Sequence, residues 1–506
     1  MVAKVKTFSF IGIDVVEVEV EIKITNGLNK FLIVGLPDKA VGESKERVIS
    51  ALSSTGLSLP AKKITVNLAP ADLQKEGSQF DLPIAVGILI EMGILSQNLI
   101  DKFYVLGELS LDGSINNITG IISASIGANQ RNCGIICPKN NGSEAVWAGT
   151  LEIIAPGNLI ELINHLKGEQ YSPKPIHDPH HKNFITKKYP DFADVKGHQQ
   201  AKRAFEIAAS GGHNILMVGA PGTGKSMLAS RFPSIIPPPD LSEILEINMI
   251  HSVSGKITDG KLITYRPYRE VHHSCSMPAM VGGGSKAKPG EISLAHNGIL
   301  FLDEIAEFPR QVLDALRQPL ETAKVNISRV NSHITYPANF QLISAMNPCR
   351  CGYLGDATRE CKKAPDCGEE YQKKISGPFL DRIDIVINVE KIDIFENKNS
   401  QEESSNAILA RVSKARKIQN QRYQQELGEN FNNLINARID SNLIDKFCQL
   451  EQETEKTFQN AVNKIGASIR GITRVLRVAR TIADLESEDK IKKHHLLEAL
   501  SYRRKI

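Results

Sequence analysis

Gly219-Ala220-Pro221-Gly222-Thr223-Gly224-Lys225-Ser226 reads G-x-x-x-x-G-K-S, the pattern of a phosphate-binding loop. The apolar run Asn214 to Val218 before it suits a buried strand, and Met227 to Arg231 after it can open a helix. In that context the glycines let backbone N–H groups turn toward phosphate oxygens, and the helix N-terminus adds its partial positive charge. Lys225 is expected to reach the β- and γ-phosphates of ATP, and Ser226 to ligate Mg²⁺. The bland alternative, a Gly-rich turn with a chance lysine, is disfavoured by a second motif. Ile299-Leu-Phe-Leu302 makes a short buried strand with Asp303 and Glu304 at its C-terminal end, where ligands bind in parallel α/β sheets. Asp303 is expected to hold Mg²⁺ through water and Glu304 to polarise the attacking water. Alone, an apolar run ending in Asp-Glu is also a helix-capping pattern; downstream of a P-loop it points to ATP hydrolysis.

The chain has 506 residues and formal net charge +4, enough length for several domains and too balanced a charge to announce a nucleic-acid binder. Any basic surface must be local. Met1 to Ser9 has no secretory apolar core, and the longest apolar stretch, Leu82 to Ile90, is too short to span a bilayer. A soluble cytoplasmic protein with reduced thiols is expected.

Residues 1–167 read as an α+β domain. Val16 to Ile24 alternates with period two, Phe31–Val34, Lys63–Val66 and Phe103–Leu106 read as further strands, and Val41–Leu52 and Leu82–Met92 have helical spacing. Residues 168–190 are rich in Pro and His and read as a linker, with His177, His180 and His181 solvated rather than metal-bound. Residues 191–390 hold the ATPase motifs, and 391–506 turn helical and polar. Between the two motifs, Gly282 to Gly284 cannot be helix interior. With Lys286 and Lys288 beside them they form either a flexible loop or a close approach to a phosphate chain. Leu313–Leu320 has helical spacing. Val325–Val330 and His333–Tyr336 flank Asn331-Ser332, a hairpin signal with Arg329 near its tip, either solvated or touching phosphate. Cys349, Cys351, Cys361 and Cys367 crowd together, which favours a structural Zn²⁺ over disulfides, with four free thiols as the alternative; Cys-x-Cys is tighter than a standard knuckle. Arg470, Arg474 and Arg477 share one helix face, which cannot lie unpaired in a dry core.

Val34-Gly-Leu-Pro-Asp38, Asn67-Leu-Ala-Pro-Ala-Asp72, Lys75-Glu-Gly-Ser-Gln-Phe-Asp-Leu-Pro83 and Gly107-Glu-Leu-Ser-Leu-Asp-Gly113 resemble the N-terminal domain of the YifB/ComM family, bacterial magnesium-chelatase-like AAA+ ATPases. The resemblance covers almost the whole chain. It implies a multidomain α/β protein: an N-terminal ribosomal-S5/Lon-protease-like α+β domain, an AAA+ P-loop α/β core with pore hairpin inserts, and a C-terminal helical lid. A Lon-type peptidase is rejected. Ser78 is out of place, Gln79 or Phe80 falls where the nucleophile belongs, and Ile122 stands where the lysine base should be. By the same resemblance, Asp191 to His198 packs near the adenine, and Asn347, ending the strand Phe340–Met346, matches sensor 1. Arg382, in Ser376 to Asp384, matches the arginine finger, unless Asp381 and Asp384 hold it in a surface ion cluster. Arg470 aligns with sensor 2, clamping nucleotide from the lid, with Arg474 as fallback. Lys286, Lys288 and Arg329 belong to inserts that line a ring pore and touch DNA. A finger implies a homo-oligomeric ring, a hexamer, hydrolysing Mg·ATP at subunit interfaces. ComM-type members imply a branch-migration helicase in recombination and natural transformation. The rivals are a magnesium-chelatase motor subunit and an ATP-dependent protein-remodelling factor.

Overall fold

The computed structural model describes residues 2–149, 152–171, 184–185, 187–257, 261–284, 287–328, 333–354, 361, 363–391, 402–428, 433–465 and 469–503. Arg329, Lys286, the turn residues Asn331 and Ser332, and the histidines of the Pro-rich stretch lie outside them.

The first sheet has seven strands, in the order Lys30–Val34, Lys63–Ala69, Asp14–Thr25, Ala3–Ile11, Phe103–Val105, Gly134–Ile136 and Ile153–Ile154. Its centre is the antiparallel pair Ala3–Ile11 and Asp14–Thr25. Val18, Val20 and Ile22 point into the core while Glu17, Glu19 and Glu21 point away, as period-two alternation requires. The helix Asp81–Glu91 is apolar nearly all round and buried against this sheet. The helix Lys39–Ser54 is started by Asp38, whose carboxylate accepts the Val41 N–H at 2.7 Å, and is tied to its neighbour by Arg47 on the buried Asp81 at 2.6 Å. Ser78 donates to Glu108, the Lys75 ammonium is spent on the Pro70 carbonyl, and Ile122 is fully buried. No Ser–Lys dyad forms among these residues.

The second sheet has five strands, all parallel, in the order Tyr268–Val271, Ile299–Leu302, Gln341–Met346, Ile215–Val218 and Ile385–Asn388. Every residue of the three inner strands is buried, which is why they read as unbroken apolar runs rather than alternating ones. The helix Gln199–Gly211 covers one face, and the C-terminal helices Ser405–Leu427 and Ile469–Leu485 pack on it in one continuous core.

Two elements differ from the sequence reading. Leu313–Leu320 is two short helices, Arg310–Ala315 and Arg317–Thr322, because Pro319 has no N–H to offer the Ala315 carbonyl. Within the expected linker, Phe184–Ile185 pairs in parallel with Leu262–Ile263.

The first sheet's domain meets the second through the helix Leu241–Val253. Ser252 Oγ accepts the Gly120 N–H at 3.1 Å and donates to Glu144 at 3.2 Å. A second contact is the Gly12–Ile13 turn, where a Cβ on Gly12 would lie 2.7 Å from Ile334 in the hairpin Lys324–Ser328/His333–Pro337. Burial pushes the Glu144 carboxyl up to about 7. A raised acid stabilises the fold in its protonated form, so that stability is complete below pH 4.5 and is lost as pH rises toward 7. Glu144→Gln, neutral throughout, is therefore expected to match wild type at pH 4.5 and to exceed it by about 2–3 kcal/mol at pH 8 in denaturant unfolding.

Candidate nucleotide site and its arginines

Parallel strands bring the chemistry to one edge of the sheet. The strand Ile215–Val218 runs into the P-loop, Ile299–Leu302 into Asp303 and Glu304, and Gln341–Met346 into Asn347. Gly222 and Gly224 have φ of +77° and +89°, open only to glycine at little cost. Gly219 has no room for a side chain, since a Cβ would lie 2.3 Å from the Val389 carbonyl oxygen. Around Gly222 the space is open. The loop is thus a cradle with bare backbone facing outward.

Lys225 closes it. Its buried ammonium donates to the Gly219 and Ala220 carbonyls at 2.7 and 2.9 Å and to the Asn347 amide oxygen at 3.2 Å. Burial lowers its pKa, opposed by the carboxylates of Asp303 and Glu304. A buried ammonium held by neutral oxygens is poised to exchange them for phosphate oxygens. Ser226 Oγ donates to Asp303 at 2.8 Å, so a hydroxyl and a carboxylate lie side by side, an oxygen donor set suited to Mg²⁺. Glu304 has left-handed backbone at φ +50°, which turns its side chain out of the strand line into solvent. His273 Nδ1 lies 3.8 Å from the Glu304 carboxylate. The sequence reading missed His273; its signal was a histidine pair just past the strand Tyr268–Val271.

The cysteines adjoin this edge. Cys349 is buried and its Sγ lies 3.2 Å from that of Cys351, while the Sγ atoms of Cys349, Cys361 and Cys367 all fall within 4.8 Å of one another. Lys288 is exposed on the short strand Lys288–Pro289, paired with Gly282–Gly283.

Arg382 and Arg470 are at the other edge. The Asn214 amide, at the start of the P-loop strand, donates to the Arg382 carbonyl at 3.0 Å. The four residues of that strand, at about 3.3 Å each, put roughly 13 Å between this point and the P-loop. The Arg382 side chain is only 6 % exposed; it donates to the carbonyls of Arg317, at 2.9 Å, and Pro378, and pairs with Glu321 at 2.6 Å. Asp381 and Asp384 do not hold it: Asp381 faces Arg503, and Asp384 pairs with Arg474 at 2.9 Å. Burial alone would raise the Asp384 carboxyl, but Arg474 and His213 hold it well below the usual carboxylate range. Arg477 donates to the Ile439 carbonyl. Arg470, 68 % exposed, stands 3.9 Å from the same Glu321 that holds Arg382. Arg470 therefore stands beside Arg382 and away from this chain's own P-loop. A cavity of about 1150 Å³ opens at this edge, with Glu321, Arg416 and Arg438 in its wall.

The two arginines of the helix Ile469–Leu485 are separable by experiment. Arg474→Ala leaves Asp384 buried without its cation and is expected to cost about 3 kcal/mol of stability. Arg470→Ala is expected to change it by less than about 0.5 kcal/mol. Denaturant unfolding of both variants checks this.

The family model described as magnesium chelatase, subunit ChlI, matches residues 191–397; those described as subunit ChlI of Mg-chelatase and as its C-terminal part match 20–141 and 402–503. The chain is 42 % identical over 497 residues to competence protein ComM of Haemophilus influenzae, covering 97 % of this chain and 95 % of that protein. It is 41 % and 40 % identical to the uncharacterized YifB proteins of Salmonella typhimurium and Escherichia coli, over 99 % of this chain and 97 % and 96 % of theirs. Among the described residues no helix is long and apolar enough to cross a membrane. With a five-stranded P-loop core and full-length likeness to ComM and YifB proteins, the chain belongs to the magnesium-chelatase-like YifB/ComM family of AAA+ ATPases.

Proposed function

We propose that this protein is a Mg·ATP-hydrolysing ring motor that moves DNA, a branch-migration helicase acting in recombination and natural transformation in the bacterial cytoplasm. The observation that carries this reading is the split of the machinery between the two edges of one parallel sheet. The P-loop, Ser226, Asp303, Glu304 and Asn347 share one edge, and Arg382 and Arg470 share the other. A nucleotide on the first edge meets such arginines only from a neighbouring subunit. That is the logic of a closed ring, here a hexamer.

In the proposed site, Gly219 to Ser226 cradle the triphosphate and Lys225 trades its carbonyl partners for phosphate. Mg²⁺, held by Ser226 and through water by Asp303, neutralises charge on the phosphates. Glu304 polarises the attacking water, with Asn347 beside it. The neighbour's Arg382 leaves Glu321 for the γ-phosphate and Arg470 clamps the same nucleotide. Residues 1–167 act as an inactive Lon-like scaffold, 168–190 as a linker, 191–390 as the motor and 391–506 as the lid. Cys349, Cys351, Cys361 and Cys367 hold a structural Zn²⁺.

DNA as the moved partner rests on the hairpin Lys324–Ser328/His333–Pro337 and the Gly282–Gly284 loop, whose Lys286, Lys288 and Arg329 would meet phosphates. It rests also on the likeness to a competence protein. The second reading is a chelatase motor, favoured by the names of the three family models. ATPase rate with and without single-stranded and forked DNA separates the two. We expect stimulation by DNA that falls steeply between about 50 and 200 mM salt and is absent in Lys225→Ala. Hydrolysis indifferent to DNA sinks the DNA reading.

A further inference from the structure

We propose that the cysteine cluster is a Zn²⁺ brace for the wall of the nucleotide site, so that the metal's occupancy sets nucleotide affinity. The inference rests on the zinc reading above and goes beyond it.

Cys349, Cys361 and Cys367 have the chemistry and spacing of a thiolate site, and Cys351 adjoins Cys349. Tetrahedral zinc with Zn–S near 2.3 Å places sulfurs about 3.8 Å apart. Cys349 and Cys351 are at 3.2 Å, and Cys361 and Cys367 fall within 4.8 Å of Cys349 and of each other. A disulfide is about 2.05 Å, and none is formed. A competing cluster fails this test. In Glu486, His494 and His495, the His495 Nδ1 accepts the Lys492 N–H at 3.0 Å, so its Nε2 carries the proton that bonds Glu486 and has no lone pair for a metal.

The cluster's position makes it a brace. Cys349 lies two residues beyond Asn347, which touches Lys225 at 3.2 Å. Gly352, at φ +83°, lies against the P-loop itself; a Cβ there would come within 2.4 Å of Pro221. Cys367 sits on the helix Asp366–Gln372, whose Tyr371 is buried in the core beneath. A metal joining Cys349, Cys351, Cys361 and Cys367 would thus clamp the Asn347–Gly352 turn against Pro221 and fix the outer wall of the loop. Without it, the turn loses its link to Cys361 and Cys367, and the P-loop loses a braced neighbour.

The test measures zinc per chain, then the affinity of a fluorescent ADP analogue before and after stripping with a zinc-selective chelator in excess Mg²⁺. Circular dichroism follows the fold. We expect one zinc per chain, about tenfold weaker nucleotide binding after stripping with the fold intact, and recovery on adding zinc, a change equal to one or two hydrogen bonds. The double variant Cys361→Ser/Cys367→Ser is expected to show the same loss without recovery. If it fails to fold, the stripping arm on the natural protein decides. Bound zinc whose removal leaves nucleotide affinity unchanged overturns the brace and spares the zinc reading. Global unfolding on stripping also overturns it, because the metal then serves folding at large. A protein free of zinc, with four thiols freely reactive, overturns both.

Discussion

Parallel register decides what this chain can do alone. Five strands that all run the same way deliver their C-terminal residues to one edge and keep their N-terminal residues at the other. The phosphate cradle, the Ser226–Asp303 pair, Glu304 and Asn347 are delivered to the first edge because each directly ends a buried strand. Arg382 precedes its strand, Ile385–Asn388, and so is committed to the second edge. No side-chain rotamer undoes that separation. On the proposed account, the ring is the way the fold brings its cation to its phosphates.

A buried guanidinium needs a partner, since an unpaired buried charge is costly. Glu321 supplies it for Arg382 and stands near Arg470 as well. Arg474, one turn along from Arg470, is instead locked to Asp384, which also accepts the Asn214 N–H at 2.9 Å. The helix therefore carries one arginine that holds the C-terminal layer to the core and one that reaches outward. Lys225 follows the same rule at the other edge, where carbonyls and the Asn347 amide oxygen stand in for an anion.

Much of this was legible in the sequence because the signals are local. G-x-x-x-x-G-K-S, the apolar runs before it and before Asp303, and the alternation in Val16–Ile24 each reflect a backbone requirement met within a few residues. What escaped the sequence reading is non-local. Nothing near Arg382 announces Glu321; the nearby Asp381 and Asp384 are the obvious partners, and both are taken by arginines from the C-terminal part of the chain, Arg503 and Arg474. His273 reaches Glu304 only because their strands are neighbours in the sheet. The break at Pro319 was readable, a local signal that the reading of Leu313–Leu320 as one helix passed over.

The most direct measurement of the central claim is ATP hydrolysis by mixtures of Lys225→Ala and Arg382→Ala chains. On the proposed account, the first variant keeps a working finger and loses its phosphate site; the second keeps the site and loses the finger. Each alone should be nearly inactive, since loss of an arginine finger costs roughly 10³–10⁵ in rate in well-studied GTPases. Mixing should restore hydrolysis at interfaces that join an intact site to an intact finger. Mixed rings that form, as crosslinking of differently tagged chains would show, yet stay as inactive as either variant would contradict a site built from two subunits.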